Sequence, residues 1–325
     1  MPPDASPTNP VRDDAAGARG GGEVPGGGAS WESAVATNVV IVAGKGGVGK
    51  TTVTAVLAHS AARAGRKVLV VELDGKPTLQ TLVHDAGTNP KTIELTSISA
   101  SDALDEYLRD HGFERVAKRL QRTGVIDIVG TAAPGIDDVV VLGKVKQLER
   151  SGDYDLVVVD GPAAGHAITF LSSASGLADA VRGGPVRAQS DDVMELLTDG
   201  DRCQVVLVTL PETTPMNEVI ETAYALEDQV GVALGPIVVN DVDRGTRPPD
   251  AVDELIADQP SDVAQVLRAA AAFRRSRQDM EAREIERLAE SLPLPRLLLP
   301  ALPVAGIGAS DIDRLVEAFT AGGRR

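Results

Sequence analysis

Eight consecutive residues carry the clearest chemistry in this chain. Gly44-Lys45-Gly46-Gly47-Val48-Gly49-Lys50-Thr51 fits the spacing G-x-x-x-x-G-K-[ST], with Thr52 next. Glycines at these intervals let backbone N–H groups converge on phosphate oxygens. A lysine after the last glycine reaches the β and γ phosphates of a nucleotide, and the following hydroxyl suits Mg²⁺. The expected occupants are therefore ATP and Mg²⁺, with Gly44 through Thr52 as the cradle. A chance match in a chain holding 33 Gly is the competing reading. It fails on context, because a Val/Ile run precedes the loop and a helical stretch follows it. That helix brings its positive N-terminus to the same anion.

The rest of the chain must hold this loop in place. Short apolar runs at Asn38–Ala43, Lys67–Leu73, Val125–Gly130, Asp155–Asp160, Gln204–Leu210 and Pro236–Asn240 have the length of buried strands. Several are Val-rich on both faces, as strands of a covered parallel sheet are. Gly49–Ala64, ending at Gly65, reads as a helix with a glycine just past its end. Ala103–Arg122, Val139–Arg150, Asn217–Val230 and Val263–Leu292 also have helical spacing. Alternating strand and helix predict an α/β fold, a doubly wound and mostly parallel sheet flanked by helices, with a small helical elaboration. Residues 1–30 hold seven Gly and five Pro, too little apolar surface to offset chain entropy. The expected organisation is a disordered tail over 1–35 and one P-loop domain over 36–325. Ser310 and Asp313 resemble a capping box, and Ile312, Leu315, Val316 and Phe319 share one helical face that should dock on the core.

Composition narrows the function. The single cysteine, Cys203, excludes a disulfide framework and any CxxC metal site. A net charge of −15 argues against a general nucleic-acid or anionic-membrane surface. The longest apolar stretch, Leu292–Ala309, contains four prolines and cannot be a membrane helix. No secretory leader is visible, so a cytoplasmic location is expected.

Beyond the loop, the residues resemble one family. Lys-Gly-Gly-Val-Gly-Lys-Thr-Thr, Lys45 to Thr52, is the deviant loop of a group of P-loop ATPases. Within that group, Asp160-Gly161-Pro162-Ala163-Ala164-Gly165-His166 resembles the D-T-A-P-T-G-H segment of the arsenite-pump and tail-anchored-protein-targeting ATPases. Asp160, Gly165 and His166 match in register. Pro134-Gly135-Ile136-Asp137-Asp138 resembles their P-G-I-D-E segment, Leu210-Pro211-Glu212 with Glu218 a later one, and Val238-Val239-Asn240 the strand whose asparagine contacts adenine. The resemblance implies ATP hydrolysis by water attack on the γ-phosphate. It implies Lys45 and Lys50 as catalytic cations, Lys45 acting across a dimer interface. It implies Asp74 as the residue that orients water, Thr51, Asp74 and Asp160 around Mg²⁺, and Asn240 at the base. Asp138 is the next carboxylate in line.

There are also departures. Where the family has V-L-V-x-S-T-D-P-A-H, this chain reads Val68-Leu69-Val70-Val71-Glu72-Leu73-Asp74-Gly75-Lys76-Pro77. The zinc and metalloid cysteines of relatives are absent, and four Met are few for a client-helix groove. The expected partners are a second copy or a paralogous subunit, and a client of unknown kind. No nucleic acid and no integral membrane segment are expected. A positioning ATPase of the MinD/ParA kind, an ATP-dependent ligase or kinase, and a non-hydrolysing scaffold are the other readings. Arg274, Arg275 and Arg277 form a local basic cluster that reads as a solvated face or a partner surface.

Overall fold

The computed structural model describes residues 30–73, 77–84, 92–115 and 135–322. Among these, seven strands form one all-parallel sheet in the order β3-β2-β4-β1-β5-β6-β7. They are β1 (Val39–Gly44), β2 (Val68–Glu72), β3 (Ile93–Ser97), β4 (Leu156–Ala163), β5 (Cys203–Thr209), β6 (Ile237–Val242) and β7 (Arg296–Pro300). The helices are α1 (Lys50–Arg63), α2 (Pro77–His84), α3 (Ala100–Asp110), α4 (Ile136–Arg150), α5 (Ala164–Ala180), α6 (Pro185–Thr198), α7 (Thr213–Gln229), α8 (Val252–Leu255), α9 (Ser261–Ser291) and α10 (Ala309–Gly322). The doubly wound sheet expected from the alternating runs is what the chain forms.

Strand alternation builds two cores. Val40, Val42, Val68, Val70, Leu156 and Val158 pack on one face against α1, α2 and α10. Val39, Ile41, Leu69, Val71, Val157 and Val159 pack on the other, under α3 to α7 and α9. Because both faces are covered, the strands need apolar residues at successive positions, hence the Val runs. Helix α1 is buried from Val53 to Ala62, and its small residues let it lie close to the sheet. It ends at Gly65, whose φ of +89° suits a residue without Cβ.

Several expectations change here. The boundary at residue 36 falls late. Trp31–Val35 form a 3₁₀ turn with Ala34 and Val35 buried against the α1 core. Strands β3 and β7 were not anticipated from the sequence. Ser310 lies inside α10, and the capping carboxylate is Asp311, which accepts from the Gly308 N–H at 3.0 Å. The docking of Ile312, Leu315, Val316 and Phe319 holds, all four being buried. The run Val125–Gly130, the end of the Ala103–Arg122 stretch, Asp74, Pro134 and most of the tail lie outside the described residues.

Topology fixes where a ligand can sit. β1 lies between β4 and β5; the chain runs first to β2 and β3 on one side, returns to β4 beside β1, and then crosses to β5, β6 and β7 on the other. The crevice at the carboxyl ends of such strands, where the winding reverses, is the binding position of open α/β sheets. The loop after β1 opens into it.

Candidate functional site

The loop from Gly44 to Gly49 runs from the end of β1 to the first turn of α1. Gly49 has φ +89°, and a Cβ there would stand 2.3 Å from Asn240 Nδ2, so only glycine fits. Asn240, near the end of β6, donates from Nδ2 to the Val48 carbonyl at 3.0 Å and braces the loop from the side. Lys50 lies back over the loop, its Nζ donating to the Lys45 carbonyl at 3.4 Å.

Asp160 on β4 closes the floor. Its Oδ2 accepts from Thr51 Oγ1 at 2.9 Å and its Oδ1 from Thr54 Oγ1 at 3.2 Å. A carboxylate and a hydroxyl beneath a helix N-terminus form an oxygen donor set suited to a hard divalent cation. Thr51 and Asp160, two of the three metal candidates, are thus brought together.

Lys45 is placed differently from Lys50. Its Nζ bonds Glu218 Oε1 of α7 at 2.5 Å, and both side chains are more than a third exposed. In this conformation it points out of its own cradle. Asp138 and His166 lie close enough to interact electrostatically. Burial raises the Asp138 carboxyl above its ordinary range, Asp137 adds to this, and nearby His166 opposes it.

A cavity of about 300 Å³ lies beside the loop, bounded by Gly49, Thr52, Asn240, Leu302, Val304 and Ile307. Sequence reasoning found Asn240 but missed the wall at 302–307. The signal was present in the proline-broken apolar run. A larger cleft, about 430 Å³, opens between α3, α4 and α6 away from the loop. Its lysines are already matched, Lys144 to Glu106 at 2.5 Å and Lys146 to Asp192 at 3.2 Å. It offers no phosphate cradle.

Other singled-out residues are structural. His59 is buried, with Nε2 3.2 Å from the Leu82 carbonyl, and burial lowers its pKa. Cys203 is buried at the start of β5, its thiol pushed up to about 12 by desolvation. The basic cluster is not a free patch. Arg274 grips Asp243 through two bonds of 2.8 Å, Arg277 binds Glu281 and Asp241, and Arg275 donates to the Pro249 carbonyl.

Fold and loop together define a P-loop nucleotide-binding fold. Residues 37–182 match the family model described as anion-transporting ATPase. The chain is 34% identical over 218 residues to the ATPase BagA of Mycobacterium tuberculosis, covering 62% of this chain and 64% of that one. It is 27% identical over 301 residues to a Halobacterium salinarum protein provisionally named an arsenical pump-driving ATPase, covering 85% and 43%. It is 28% identical over 191 residues to an Escherichia coli arsenical pump-driving ATPase, covering 58% and 32%. The chain thus matches under two thirds of the length of each. Among the described residues, no helix is long and apolar enough to cross a membrane.

Proposed function

We propose that this protein is a Mg²⁺-dependent ATP hydrolase that uses nucleotide-driven rearrangement of a dimer to act on a client. The observation that carries the reading is the Thr51–Asp160 bond beneath the glycine loop. It sets a hydroxyl and a carboxylate where the β and γ phosphates of a loop-bound nucleotide would end. Mg²⁺, when bound, would neutralise phosphate charge.

The chain's own groups supply the rest. Backbone N–H groups of Gly46 to Thr52 hold the phosphates, and Lys50 adds a charge-assisted contact. Asn240 and the wall of Leu302, Val304 and Ile307 hold the base. Asp74 orients the attacking water. Asp160 links the phosphate end of the site to β4 and, along it, to His166 at the start of α5. Lys45 leaves Glu218 and completes the site of a second subunit, identical or paralogous, as an arginine finger would. Use of ATP fits a cytoplasmic place of action. Resemblance in name to pump-driving ATPases supports a client outside this chain without fixing its chemistry.

The test is phosphate release at saturating ATP with and without EDTA, for wild type and Asp160→Asn. Magnesium-dependent turnover lost in the variant is expected. Equal rates in both would remove Asp160 from the site.

A further inference from the structure

Glu72 is the last residue of β2. It is only 8% exposed. Its Oε1 is fully buried and has no hydrogen-bond partner among the described residues. A buried carboxylate oxygen without a partner is destabilising, so its presence here calls for a physical reason.

Register supplies one. Glu72 pairs with Asp160 across the parallel β2–β4 ladder, with strand axes about 4.8 Å apart. Both side chains leave the sheet on the α1 face. Val68 and Val70 before Glu72, and Leu156 and Val158 before Asp160, all belong to the α1-side core. The Ile98 N–H donates to the Glu72 carbonyl at 2.9 Å, which fixes the strand end. Two carboxylates therefore lie side by side beneath the first turn of α1. Asp160 is engaged by Thr51 and Thr54, while Glu72 keeps an oxygen open. Neighbouring carboxylates repel, and a cation between them or reached through one water relieves both the repulsion and the unmet bond.

We propose that Glu72 is a second carboxylate of the divalent-cation site, acting beside Asp160 on the cation that accompanies the nucleotide. The proposal rests on the nucleotide-site reading above. It makes this site more negative than one with serine at the same position, and so more demanding of a bound cation.

Mn²⁺ serves as the probe. Free Mn²⁺ is followed by its electron paramagnetic resonance signal during titration of the full chain with saturating ADP. Wild type, Glu72→Gln, Glu72→Asp and Asp160→Asn are compared. Glu72→Gln should weaken Mn²⁺ binding about 10- to 100-fold, the range seen when groups supporting a metal are removed. Glu72→Asp, which keeps the charge, should lose less. Without metal, Glu72→Gln should melt higher than wild type, because an open buried charge has gone. Glu72→Gln binding Mn²⁺ as wild type does, while Asp160→Asn fails, would overturn the proposal and leave the nucleotide site standing. Wild type binding no ADP at all would overturn both.

Discussion

Two buried acidic corners sit at the carboxyl ends of this sheet, and they are finished differently. At β6, Glu281 of α9 accepts from Arg277 Nε at 2.7 Å and from the Asp243 N–H at 2.8 Å. Asp243 in turn takes both arms of Arg274. At β2 and β4, Asp160 receives two threonine hydroxyls and Glu72 keeps an unmatched oxygen. A corner whose charges are met from within the chain holds the fold together. A corner that leaves one open has a site for something the chain does not supply. Substitutions at β2 and β4 should therefore cost function and spare stability, and substitutions at β6 and α9 the reverse.

The largest effect is expected at the loop lysine that faces outward. Lys45→Ala should slow ATP turnover on the order of 10³-fold or more, the scale of a removed finger. Nucleotide affinity and melting temperature should change little, because the Lys45 side chain is paired with Glu218 and more than a third exposed. Mixing it with Lys50→Ala checks action in trans, since each variant keeps what the other lacks. A specific activity independent of protein concentration would remove the dimer from the mechanism.

At the closed corner, Glu281→Ala should lower stability by about 2 kcal/mol, the scale of a buried amide and a charged donor losing their acceptor. ATP affinity by calorimetry should stay at the wild-type value. An unaltered melting temperature together with weaker nucleotide binding would invert the comparison.

A smaller and pH-dependent effect comes from Asp243, whose hydrogen bonds with Arg274 are the main cause of a pKa lowered to about 2. An unfolded aspartate titrates near about 3.9. The folded form thus binds its proton less readily, and the associated stability is complete above about pH 4 and lost as pH falls through about 2. Denaturant melts across that window should show the decline, and Arg274→Ala should flatten it. A slope as steep in Arg274→Ala as in wild type would assign the decline to other carboxylates. Smallest of all, removing residues 2–29 should leave both melting and turnover as they were, because that Gly/Pro-rich stretch has little to bury.

The sequence revealed the middle of the molecule better than its edges. β1, β5 and β6 are buried Val-rich runs, and the loop after β1 has a fixed chemical spacing, so strand, loop and α1 could be read directly. β3 is half polar, as Ile-Glu-Leu-Thr-Ser, and β7 is five residues bounded by Pro295 and Pro300. Edge strands tolerate such residues, and so lose the pattern that marks a central one. α5 is rich in Ala, Ser and Gly, and its exposed side (Gly165, Thr169, Gly176 and Asp179) is mostly small residues with one charge, so helical periodicity is faint there. At the site, Lys50, Thr51 and Asp160 were legible because spacing or a strand end marks them. The cavity wall at 302–307 comes from residues some sixty positions beyond Asn240, brought beside it by the pairing of β6 with β7. Glu72 was visible only as a departure from a pattern. Its meaning needed the register with Asp160, which local sequence does not carry.

The proposed activity places ATP and Mg²⁺ at the loop at the end of β1. Steady-state phosphate release by wild type and Lys50→Ala, measured on preparations with matched melting curves, tests it most directly. Magnesium-dependent turnover in wild type and loss of about 10³-fold or more in the variant are expected, through missing charge-assisted phosphate contacts. Turnover in Lys50→Ala equal to wild type, or none in wild type under any nucleotide and Mg²⁺ condition, would contradict it.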